Sequence, residues 1–68
     1  MAVELRKAVK WYKRAATVGN TAAQFYLAIC YEFGKGTSID KPEAVKWYKL
    51  AAEVGVSEAQ IQLDRLRE

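Results

Sequence analysis

The sequence predicts an all-α protein of four helices in antiparallel pairs, roughly two repeats of an α-solenoid. Sliding the chain against itself aligns Trp11 with Trp47 and Gly19 with Gly55, an offset of 36 residues that falls in the range of helical repeats. In that register thirteen of the twenty positions from Ala8 to Leu27 are identical in Ala44 to Leu63, including the whole string AVKWYK, which chance does not produce. Apolar residues recur at three- and four-residue spacing between glycines, the period of helices and not of strands. Units of this kind cannot bury their apolar faces alone and have to stack on neighbours.

The first helix is expected over residues 3–18. Leu5, Ala8, Val9, Tyr12, Ala15 and Ala16 form its stripe, and Trp11 and Val18 widen it, so more than one side is apolar. Gly19 supplies a left-handed position after the last turn. Thr21 and Gln24 then stand in capping-box spacing for a second helix, over 21–33. It is apolar at nearly every position from Ala23 to Phe33, which predicts a central helix lying between two partners. Gly34 and Gly36 bracket a loop, 34–40, that ends at Asp40, an N-cap candidate with Pro42 in the first turn and Glu43 three residues on. The third helix, 41–54, repeats the first through Trp47, Tyr48, Ala51 and Ala52 and stops at Gly55. Ser57 and Gln60 repeat the capping-box spacing and open the last helix, 57–67. There Asp64, Arg65 and Arg67 replace Ala28, Ile29 and Tyr31, while Ala59 and Leu63 preserve Ala23 and Leu27. One face stays apolar and the other turns polar, as a terminal repeat facing water requires. The first helix has no such device: Leu5, Val9, Trp11 and Tyr12 read as though a preceding helix should cover them.

With helices, glycines and period in place, the residues resemble the Sel-1-like repeat, a branch of the tetratricopeptide superfamily. Its pattern is met by Ala23, Gln24, Leu27, Tyr31, Gly34, Gly36, Asp40, Ala44, Trp47, Tyr48, Ala51, Ala52, Glu53 and Gly55. Two departures are mild: Ala28 stands where the pattern has a glycine at a close helix approach, and Thr37 where it has a loop valine. The resemblance covers one full repeat, about Ala22 to Gly55, flanked by half-repeats, so the expected organisation is one repeat domain over 1–68. It implies a surface presented to proteins or peptides. Helices of the second type line the concave face in such arrays, which makes Tyr26, Phe33, Ile29 and Cys30 the candidate partner-binding residues.

Composition narrows the chemistry. With 51% hydrophobic and 28% charged residues the chain suits a folded globular domain, but 68 residues bury little core. About three repeats are commonly needed for an independent solenoid. Either these residues are a piece of a longer array, or a second copy completes the core by dimerisation or helix exchange through Leu5, Val9, Trp11 and Tyr12. The longest apolar run, Phe25 to Tyr31, is far shorter than the roughly 20 residues that span a bilayer. A membrane partner is therefore not expected; no secretion signal is read, and a cytoplasmic location is the expectation. Cys30 is the single cysteine and no histidine is present, so neither an internal disulfide nor a zinc site suggests itself, and no cofactor or metal is expected.

Two rival readings arise from motifs. Arg6, Lys7, Lys10, Lys13 and Arg14 give residues 1–19 a charge of +4 against −1 for the remainder, a stripe that suits nucleic-acid phosphates or an acidic partner, and equally the solvated back of a helix. Aromatics are not interleaved with those bases, so nucleic acid is not the expected partner. Ser38 to Lys41 matches the Ser-x-x-Lys spacing of lactam-binding enzymes, but the partner motifs are missing and Asp40 is better placed to cap the helix. The function expected is a non-enzymatic protein-interaction scaffold that associates with itself.

Overall fold

The computed structural model describes residues 3–67, folded as four α-helices: α1 (Val3–Thr17), α2 (Thr21–Phe33), α3 (Lys41–Glu53) and α4 (Ser57–Arg67). Each packs against the next in sequence: α1 on α2, α2 on α3 and α3 on α4. The body measures 30 × 26 × 15 Å, so it is a slab in which the end helices each have one flank without a neighbour.

The repeat in sequence is a repeat in turn geometry. At the end of α1 the Gly19 N–H donates to the Ala16 carbonyl (3.1 Å) and the Asn20 N–H to that of Ala15 (2.9 Å). At the end of α3 the Gly55 N–H donates to Ala52 (3.0 Å) and the Val56 N–H to Ala51 (3.1 Å). Both glycines have positive φ, which a Cβ would oppose. The starts of the helices are less symmetric. Asn20, not Thr21, caps α2: its Oδ1 accepts the Ala23 N–H (3.0 Å), while Gln24 turns away from the cap and donates to the Ala16 carbonyl (3.2 Å). Asparagine and threonine are both competent caps, and the one that precedes the first helical residue in extended backbone takes the role. Val56 occupies the corresponding place before α4, so Ser57 is already inside that helix and Gln60 donates to Asp64 (2.8 Å) instead of closing a box. Asp40 caps α3 as its spacing predicts, accepting the Glu43 N–H (3.1 Å).

Two buried clusters make the core. Val9, Ala16, Ala23, Leu27 and Cys30 fill the space between α1 and α2; Ala28, Ala44, Tyr48, Ala51, Ala59 and Leu63 join α2, α3 and α4. Tyr31 and Trp47 pack against both. The close approach of α2 to α3 is made with alanine, since Ala28, Ala44 and Ala51 have no exposed surface. The loop after α2 is pinned to α1 at Gly36, which is buried with φ +75. A Cβ built there falls 2.3 Å from the Leu5 carbonyl oxygen and 2.6 Å from its carbon. The backbone of the loop therefore lies directly on the first turns of α1.

Candidate functional site

Because the chain repeats, each position of α3 has a counterpart on α1, and the two can be compared atom for atom in their surroundings. α3 has α2 before it and α4 after it; α1 has only α2 after it. The difference falls on one face. Ala44, Tyr48 and Ala51 are fully buried, whereas Ala8, Tyr12 and Ala15 are half-buried. Trp47 is half-buried and its indole N–H donates to Glu43 (3.1 Å), whereas Trp11 is 74% exposed. An indole left this wet has its apolar area facing solvent.

Open hollows lie on either side of Trp11. One, of about 420 Å³, is lined by Trp11, Arg14, Ala15 and Val18, and the other, of about 380 Å³, by Glu4, Lys7, Ala8, Trp11 and Tyr12. A third hollow of about 270 Å³ brings Leu5 and Tyr12 of α1 together with Tyr26, Ile29 and Cys30 of α2, with Lys35 at its edge. Tyr12 and Tyr26 lean on each other with ring centroids 5.6 Å apart. Two groups of residues that the sequence keeps separate, on α1 and on α2, thus share a groove.

Within those groups the exposures differ. Leu5 and Trp11 are exposed and Tyr12 is half-buried, but Val9 is 4% exposed and belongs to the core. Val9 and Trp11 are about 200° apart around a helix, so they cannot share a flank, and Val9 faces α2. On α2, Tyr26 and Phe33 are exposed and Ile29 is half-buried, while Cys30 is 7% exposed. Burial pushes the Cys30 thiol above its ordinary range, opposed by the nearby Lys35, so it is a protonated core group and offers a partner little surface. Phe33 lies apart from the groove, with the Lys35 ammonium 6.0 Å from its ring centroid.

The basic stripe of α1 is not uniform either. Lys13 sits 5.8 Å from the centroid of the Tyr31 ring on α2, whereas Lys7 and Arg14 border the hollows beside Trp11. Ser38 and Lys41 are both exposed, and among the described residues no hydrogen bond joins them. No group of three or more potential metal ligands occurs among the described residues.

Sequence reasoning missed one polar assembly. Glu32, 4% exposed, accepts a hydrogen bond from the Tyr48 hydroxyl (2.7 Å) and pairs with the Arg65 guanidinium. Three helices are thereby tied at one carboxylate. Arg65, expected to face water on a capping helix, keeps half its side chain exposed but brings its tip inward to Glu32. The signal was present: Glu32 is the one charged residue of an otherwise apolar helix, and a buried charge demands a partner. Tyr12, the counterpart of Tyr48, makes no such bond among the described residues.

Tyr48 gives a pH prediction. Burial, and then its hydrogen bond to Glu32, push its phenol well above the usual tyrosine range. Above about pH 10 the unfolded chain releases this proton and the folded chain keeps it, so the folded state binds more protons and stability falls as pH rises, by up to ~1.4 kcal/mol per pH unit for this group. Cys30 starts the same decline lower, near a thiol's ordinary value of about 8.5. Denaturant midpoints measured between neutral and strongly alkaline pH are expected to fall, with a shallower alkaline limb in Tyr48→Phe; an unchanged limb in that variant would contradict the assignment.

The Sel1 repeat family model matches residues 3–20 and 21–56, which together make up most of the chain. No curated protein and no solved structure matches it. The boundary between the two matches falls between Asn20 and Thr21, at the start of α2, so the second match takes in α2, the pinned loop and α3, and the first takes in α1 alone. An α1 that is half of a repeat, a fully formed α2–α3 unit and the 36-residue register all agree: the chain belongs to the Sel1 repeat family.

Proposed function

We propose that this chain is a protein-interaction module that receives its partner along the uncovered flank of α1. Sel1 repeats are generally non-catalytic scaffolds that bind proteins, which supplies the class of function. The observation that carries the finer reading is Trp11, 74% exposed at a position whose repeat counterpart is packed. Tryptophan is enriched among residues that dominate binding energy, and here it stands between two hollows with Ala8, Tyr12 and Ala15 around it. Partners retained by the chain are expected to be lost on Trp11→Ala and kept on Lys49→Ala, which changes an exposed residue of α3. Undiminished retention by Trp11→Ala would refute the reading. No described helix is long and apolar enough to cross a membrane.

Self-association is the second reading, favoured by Leu5, Trp11 and Tyr12 lying on an end helix that has a neighbour on one flank alone. Sedimentation from micromolar to millimolar chain concentration tests it. A dimer that Trp11→Glu dissociates supports association through this flank, and a monomer throughout removes it.

A further inference from the structure

We infer that the partner received by α1 is an amphipathic helix of another protein, apolar along one stripe and acidic along the rim that meets Lys7 and Arg14. The inference rests on the reading of α1 as a docking surface and adds the chemistry of what docks. The chain itself displays how such a face is covered. α2 covers α3 with Phe25, whose ring centroid lies 5.9 Å from that of Tyr48, with the fully buried Ala28, and with Glu32, which accepts the Tyr48 hydroxyl. α1 repeats Ala44, Trp47, Tyr48 and Ala51 as Ala8, Trp11, Tyr12 and Ala15. A helix with a large apolar residue, a small one three positions later and a carboxylate four further therefore meets the same set, the carboxylate opposite the Tyr12 hydroxyl. α1 departs from α3 in charge: Lys7 replaces Glu43 and Arg14 replaces Leu50, both exposed, one at each hollow beside Trp11. Seven residues apart, Lys7 and Arg14 fall on the same edge of the apolar strip, with Glu4 in the hollow beside Lys7, and this net positive edge selects a negative edge on its occupant.

The chain's own helices fit less well. α4, the counterpart of α2, would set Asp64 where α2 has the fully buried Ala28 and Arg65 where it has Ile29, removing two charges from water without designed partners. α1 of a second copy, laid antiparallel about Trp11, would bring Lys7 beside Arg14 of the second copy, and the whole helix carries five basic residues against one acidic.

The test uses the full chain and two stapled synthetic helices that carry the α2 contact pattern, one with glutamates along the rim that meets Lys7 and Arg14 and one with lysines there. Anisotropy of the labelled peptides is expected to show the acidic helix binding about tenfold or more tightly at low salt, with the advantage shrinking as salt is raised. Lys7→Glu combined with Arg14→Glu should invert the preference, and Trp11→Ala should abolish binding of both; circular dichroism checks that these surface variants remain helical. Equal affinity for the two peptides overturns the acidic partner. Binding of neither, with the chain a Trp11-dependent dimer, makes the occupant a second copy and overturns this inference while the docking reading stands. Binding of neither by a monomeric chain brings down both.

Discussion

Gly36→Ala is expected to remove most of the stability of the fold. Two costs combine at this residue. Its φ of +75 is a left-handed conformation that costs a Cβ-bearing residue roughly 1–2 kcal/mol. The added carbon would also lie 2.3 Å from the Leu5 carbonyl oxygen, and because this neighbour is helical backbone it cannot rotate aside; overpacking of that kind costs about 1–3 kcal/mol more. A domain of this size rarely has more than about 3–5 kcal/mol in hand. Gly19→Ala and Gly55→Ala provide the comparison, since both glycines have positive φ but nothing within 4 Å of the added methyl, so they bear the conformational cost alone. Urea melts followed by helicity should separate Gly36→Ala clearly from the other two. If all three melted together, the loop would not be seated on α1 as described.

The second large effect is expected from the carboxylate that joins α2, α3 and α4. Tyr48→Phe keeps the ring that packs beside Phe25 but removes the donor to Glu32, leaving a buried acceptor short of one bond, at about 1–3 kcal/mol. Tyr12→Phe, the same change one repeat earlier, removes a hydroxyl with no partner among the described residues and is expected to stay within ~0.5 kcal/mol. The repeat thus supplies its own control: one substitution, two equivalent sites, and a difference assignable to Glu32. Equal effects at the two positions would show that the hydrogen bond contributes nothing. Arg65 is half exposed, so its own contribution to Glu32 is discounted for solvent and the tyrosine is the more telling partner to remove.

Four helices and their order were legible because the 36-residue register, the glycines after Val18 and Val54, and the Asp40–Glu43 cap are all local signals. What the sequence left blurred were matters of direction. Leu5, Val9, Trp11 and Tyr12 look alike as apolar letters, and only the rotation of α1 against α2 divides Val9, which is core, from Trp11, which is bare. Cys30 and Tyr26 part for the same reason, one inward and one at the groove. Arg65 reads as a surface residue because nothing in its neighbourhood along the chain points to Glu32, 33 positions away. Gly36 reads as a turn residue; that it also touches the backbone of Leu5 is a fact of tertiary contact that no spacing encodes. The cap of α2 falls one position before Thr21 for a smaller reason, two cap-competent side chains standing side by side at Asn20 and Thr21.

Tyr31 and Trp47 are half-buried and pack against both buried clusters, so the two halves of this slab have a wall in common. A party wall of this kind couples the two halves: the chain is expected to come apart in one sharp transition, and whatever steadies α1 from outside to be felt at α4, on the far side, without touching it.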